Sequence, residues 1–234
     1  MVKLIISMAV ALTLGIPRGV PDVLNEPLAE EVDFGEIKDS GETESSGVEI
    51  LEKYSSLYKE NTDMAGYIYL PNGIGYPIMY TPYNQNYYIN HDFNKAGSRE
   101  GLPFLNRYSL LGLQGISLMY GHNLKSGRGF TVLKKYLDKE YFDENKYIQA
   151  DTLYNVQEYE VVAVALTSLN DPFSYYEYVG DLNQRDFETW KMGFEDYVVR
   201  GSLSELTCED KVLELSTCYY HKDDGRLVVI LKAK

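Results

Sequence analysis

Cysteine, tryptophan and basic charge are what this sequence has little of. Two cysteines in 234 residues do not make a disulfide scaffold. If residues 211–217 are extended, Cys208 lies roughly 30 Å from Cys218, far beyond the reach of an S–S bond. The 22 basic side chains face 35 acidic ones, for a net charge of −13, which argues against nucleic acid and anionic lipid as partners. Several motifs are missing altogether. Without C-x-x-C, H-E-x-x-H or an EF-hand loop there is no ligand set for a metal, and none is expected. Without a Walker loop or G-x-G-x-x-G after a strand, nucleotide binding has no support, and no cofactor is implied. Ser216 is not framed by G-x-S-x-G, so a serine hydrolase is not indicated.

Long apolar runs are also short in supply. Residues 2–16 are apolar, with Lys3 before them and Pro17-Arg18 after. Fifteen helical residues span only about 22 Å, less than the roughly 30 Å of a hydrocarbon core. A short signal-anchor, a cleaved signal peptide and the remnant of a longer anchor all fit. Residues 1–20 are therefore expected to target the membrane. That would place the body of the protein at the extracytoplasmic face of the cell membrane, anchored N-terminally. Residues 21–47 are acidic and rich in Gly, Ser and Pro, and are expected to be a flexible spacer.

What is present reads mostly as strand. Tyrosine is abundant (22 residues), as suits sheets and peptide-contacting surfaces. Residues 48–61 carry apolar side chains at helical spacing, and Pro71-Asn72-Gly73 marks a hairpin between strands at 66–70 and 75–80. Further strands, some short, are expected at 87–90, 102–105, 115–120, 147–150, 153–156 and 159–167, with a helical stretch at 129–137. The best helix is expected over 183–200, capped by Asn183 and stopped by Gly201. Strands at 211–217 and 226–232 close the chain. The fold class is mainly β with added helices, a barrel or sandwich rather than a doubly wound sheet.

The chemistry centres on Cys218. The thiolate is the reactive form, and a free thiol titrates near ~8.5, so the nucleophile needs a cation and a base nearby. A hairpin with its loop at 219–225 would set Cys218 beside Arg226. Three histidines could serve as base. His221 is an odd number of residues from Cys218 and sits in a charged loop; His91 lies in a polar-aromatic bend. His122 leaves an apolar strand through Gly121, a position suited to a cleft, though a loop histidine satisfied by backbone fits it as well. Ser216 shares a strand face with Cys218 and so should line the same groove. Glu214 shares that face too and is expected to reach the groove.

Leu215-Ser216-Thr217-Cys218 with Arg226, preceded by Tyr120-Gly121-His122-Asn123, resembles the sortases, Gram-positive cysteine transpeptidases. Gly66-Tyr67-Ile68, Tyr76-Pro77-Ile78, Tyr88-Ile89-Asn90-His91-Asp92-Phe93 and Leu102-Pro103-Phe104-Leu105 are similar to class B in particular, and the match runs from about residue 48 to the end. The resemblance implies a mixed β-barrel with an N-terminal helix and a long helix inserted before the cysteine strand, in a catalytic domain over 48–234. It implies Cys218 as nucleophile, His122 as acid and base, Arg226 as electrophilic support, and Ser216 and Asn90 in the peptide groove. The implied reaction cleaves a sorting-signal peptide of a secreted surface protein after threonine, through a thioacyl enzyme. It then joins the peptide to an amine from peptidoglycan or a pilin. A hydrolysis-only cysteine peptidase and an idle wall-peptide-binding module are the alternatives. Two features depart from the pattern: Glu214 stands where threonine usually opens the cysteine motif, and Gly101-Leu102-Pro103-Phe104 replaces a Gly-Ser-aliphatic-Phe run. A groove hydroxyl and aromatic are also implied after the central strand, with Thr167 or Ser168 and Tyr175 or Tyr176 as the choices.

Overall fold

The computed structural model describes residues 49–234. The targeting segment expected at 1–20 and the spacer expected at 21–47 lie outside them. The strands of the described region are β1 (Met64–Tyr69), β2 (Gly75–Met79), β3 (Phe104–Leu105), β4 (Gly115–Tyr120), β5 (Tyr147–Thr152), β6 (Glu158–Ser168), β7 (Val198–Gly201), β8 (Lys211–Cys218) and β9 (Gly225–Ala233). They form one mixed sheet in the order β5-β1-β2-β3-β4-β8-β9-β6-β7. The sheet closes because β6 also pairs with β5, Ile148 opposite Tyr159. Closure gives an eight-stranded barrel without open edges along that circuit. β7 sits outside the circuit, on the same side of β6 but further along it, with Val198 opposite Ala165.

Three α-helices decorate the barrel: α1 (Glu52–Glu60), α2 (Lys139–Glu144) and α3 (Gln184–Glu195). Asn183 caps α3 as its sequence foretells, its side chain accepting from the Asp186 backbone N–H at 3.0 Å. Phe187, Trp190 and Phe194 fall on one face of α3 and are fully buried. They cover the outer face of the barrel formed by Ile116, Leu118, Val228 and Ile230. The barrel interior is filled by alternate residues such as Met119, Leu213, Leu215, Val229 and Leu231. β8 and β9 are thus buried on both faces, and in β9 this is why residues 227–231 read as an unbroken apolar run. Each large apolar side chain buried in this way stabilises the fold by about 1.5–3 kcal/mol.

The structure departs from the sequence reading at defined points. The helix ends at Glu195 and not at Arg200. Val198 and Val199 are β-branched and exchange helix for a place on β6, and Gly201 (φ +71°) ends a strand rather than a helix. Residues 153–156 are not a strand: Thr152 and Asn155 close a tight turn by reciprocal hydrogen bonds. Tyr87–Ile89 is a 3₁₀ turn, and 130–137 is 3₁₀ throughout. Short α2 follows it with Asp138 as its cap, the carboxylate accepting from Tyr141 N–H at 2.9 Å.

The expected N-terminally anchored placement at the membrane is corrected. Among the described residues no helix is long and apolar enough to cross a membrane. The longest of the described α-helices, α3, has 12 residues and spans about 18 Å, against the roughly 30 Å required.

Candidate active site

β4 and β8 run parallel, with Tyr120 opposite Ser216. Their C-terminal ends therefore emerge together, and His122 and Cys218 each lie two residues past that last pair. Three bonds lash the two exits. Gly121 N–H donates to the Ser216 carbonyl at 3.1 Å, and the Thr217 hydroxyl donates to the Gly121 carbonyl at 2.7 Å. Asn123 Nδ2 donates to the Cys218 carbonyl at 2.9 Å. On the other side, β8 and β9 form an antiparallel hairpin in which Cys218 stands directly opposite Arg226. A cysteine, a histidine and an arginine from three adjacent strand ends are thereby brought to one rim of the barrel.

They line one cavity of about 410 Å³. Ser216, Tyr175 and Tyr176 line it too, and Ile89 and Phe104 contribute apolar wall. Arg226 Nη1 donates to the carbonyls of Asp224 and Gly225 at 3.1 and 3.0 Å. None of the ion pairs among the described residues involves Arg226. Its charge is therefore available to a ligand. His122 Nε2 lies 2.7 Å from the Ile89 carbonyl. A carbonyl only accepts, so Nε2 carries a proton and Nδ1 holds the exchangeable position. The other histidines do not line this cavity. His91 is stacked on Tyr87 at 4.0 Å with Nδ1 on the Tyr87 carbonyl, and His221 is stacked on Tyr219 in the exposed loop.

Ser216 sits where its strand position predicts, buried in the cavity floor with its hydroxyl 2.8 Å from the Tyr175 hydroxyl. Burial pushes the Tyr175 phenol up, so it remains a neutral hydrogen-bonding group. Asn90 does not line the cavity. It is exposed at the end of the 3₁₀ turn, its carbonyl accepting from Ser98 N–H, and Ile89 takes the wall position in its place. Both candidate tyrosines after β6 reach the cavity, whereas Thr167 and Ser168 turn away to Asp171 and the Asp223 carbonyl.

Glu214 does not reach the groove either. It is wholly buried beneath α3, where Trp190 Nε1–H donates to Oε1 at 2.8 Å. Burial pushes its carboxyl up to about 8, with the Trp190 bond opposing in part. Sequence reasoning also missed Gln85 and Asn86, which line the mouth. Both lie in irregular backbone between 3₁₀ turns, where no periodicity marks a facing side. Among the described residues no group of three or more His, Cys, Asp and Glu side chains could hold a metal ion.

No family model matches the chain. It is similar to Sortase B of Listeria monocytogenes, 29% identical over 209 residues, covering 88% of this chain and 83% of that one. Sortase B of Staphylococcus aureus is 28% identical over 186 residues, covering 77% of this chain and 74% of that one. Among solved structures, a Staphylococcus aureus sortase B–substrate complex superposes with a TM-score of 0.69 at 26% identity, covering 79% of this chain and 86% of that one.

Proposed function

The chain belongs to the class B sortases, cysteine transpeptidases, and we propose that Cys218, His122 and Arg226 carry out its acyl transfer on a threonine-containing sorting peptide. The observation that carries this reading is their convergence on one cavity, with Cys218 and Arg226 as register partners.

The Cys218 thiol gives its proton to His122, its sulfur adds to the threonine carbonyl carbon, and negative charge develops on the carbonyl oxygen. Arg226, which joins no ion pair among the described residues, stabilises that oxygen by a charge-assisted hydrogen bond. His122 is held through Nε2–H on the Ile89 carbonyl, so Nδ1 delivers the proton to the leaving amine as the C–N bond breaks. A thioester on Cys218 remains. An incoming primary amine attacks the same carbon, His122 takes its proton, and the C–S bond breaks to return the thiol. The Tyr175–Ser216 pair lines the floor beside the reacting groups and suits contact with the peptide backbone. That the solved relative is a substrate complex supports a peptide as the donor.

Incubating the full chain with threonine-containing sorting peptides and a glycine amine tests the reading by product analysis. Cleavage after threonine and an amine-joined product are expected, both absent from Cys218→Ala. Cleavage by Cys218→Ala would overturn the nucleophile.

A further inference from the structure

His122 is a wall between two cavities. The first, described above, holds Cys218 and Arg226. The second, of about 310 Å³, reaches the same histidine but contains neither of them. Its charged lining is Asp92, Glu100 and Arg128, besides His122 itself, with Tyr67 and Tyr76 as phenols and Phe93 and Leu102 among its apolar walls. Its size is at the small end for a ligand cavity, suited to a slender chain rather than a bulky group. Gly101, which lines the second cavity, has φ +58° and presses on the Tyr88 and Ile89 carbonyls so closely that a Cβ would lie 2.5 Å from the Ile89 oxygen. That same Ile89 oxygen holds His122 Nε2.

The two cavities differ in charge. Arg226 makes the first suited to an acyl oxygen. The second has two carboxylates against one guanidinium, the Arg128–Glu100 pair at 3.0 Å leaving Asp92 in excess. A cation is favoured in the second and disfavoured in the first. Resting on the transpeptidase reading, we propose that this second cavity is the acceptor subsite, which draws in a primary ammonium on a slender chain and presents it to His122. The ammonium sheds one proton to solvent, and the free amine nitrogen attacks the thioester carbon as His122 takes the second. The C–N bond forms, the C–S bond breaks, and the sulfur recovers the proton. Peptidyl glycine amines and lysine side chains share this chemistry.

The test is aminolysis of the preformed thioacyl enzyme, with triglycine and Nα-acetyl-lysine amide as probes; the better probe identifies the source. In Asp92→Asn/Glu100→Gln, adduct formation should be unchanged while the half-saturating amine concentration rises about fivefold, the scale of an exposed charge contact. Arg128→Gln should move it the opposite way. All three side chains are at least partly exposed, and Asn keeps the turn-capping oxygen of Asp92. An altered rate of adduct formation would mean that the cavity takes the donor peptide, and unchanged aminolysis in all variants would mean that it takes neither; both overturn the proposal. Absence of any adduct in the unaltered chain would instead refute the transpeptidase reading and the subsite with it.

Discussion

Trp190 on α3 donates its indole N–H to Oε1 of Glu214 on β8 at 2.8 Å, while Oε2 of the same carboxyl has no partner among the described residues. The pair pins α3 onto the barrel directly below the floor that Ser216 and Tyr175 make. Leaving a buried carboxylate oxygen unpaired is costly, so the group keeps its proton.

Glu214 should therefore make stability depend on pH. Its carboxyl is raised from 4.5 to about 8 by burial. The folded state then binds more protons than the unfolded one across that interval. The stabilisation is complete below the unfolded value and is lost as pH rises through about 8. The groups facing it, Trp190, Tyr120 and Tyr175, are neutral there. Denaturant unfolding of the protein and of Glu214→Gln from about pH 5 to about pH 8.5 should show the original chain losing stability relative to the variant. Parallel profiles would refute the assignment.

Replacing His122 by Ala should lower the transpeptidation rate by about 10²-fold or more, the scale of general acid–base catalysis. His91→Ala and His221→Ala should stay within threefold, because neither ring reaches the cavity. Steady-state assays of the three variants check this.

Arg226→Ala should lower kcat/KM by about 10²–10³-fold, as removal of an oxyanion donor does. Arg226→Lys should recover only part, because a point charge does not reproduce the guanidinium fork. Full activity in the Ala variant would remove Arg226 from the mechanism.

Asp151 ties α1 to the barrel. Burial alone would raise its carboxyl, but hydrogen bonds from Lys53, Tyr54, Gln157 N–H and Gln149 hold it below its ordinary value. Its contribution is present above the unfolded carboxyl value and is lost as pH falls below that value and through the lower folded one. Asp151→Asn should cost about 2 kcal/mol at neutral pH, the worth of hydrogen bonds to a charged group, and less at pH 3. Chemical denaturation at both pH values measures it.

How far the sequence could be read depended on what each residue faces. β9 was legible because burial on both faces makes its apolar run continuous, and the Cys218–Arg226 register follows from hairpin geometry alone. His122 entered as one of three histidines, because only the parallel pairing of β4 with β8 brings it level with Cys218. β7 was taken for helix because Phe187, Trp190, Phe194 and Tyr197 continue one helical face past the true end. The preference of Val198 for the edge of β6 is a tertiary effect. Glu214 was misplaced for a related reason: alternation fixed its face correctly, but α3 covers that face before the groove begins. Asn90 was placed in the groove by the resemblance alone; it stands at the end of a 3₁₀ turn, outside the cavity lining.

The most direct measurement is intact-mass spectrometry of the chain after brief exposure to a threonine sorting peptide without amine. The account predicts a mass gain equal to the peptide up to and including threonine, mapped to Cys218, absent from Cys218→Ala and discharged by triglycine. A folded protein whose Cys218 alkylates freely yet never acquires that mass, across a panel of threonine peptides, would contradict it.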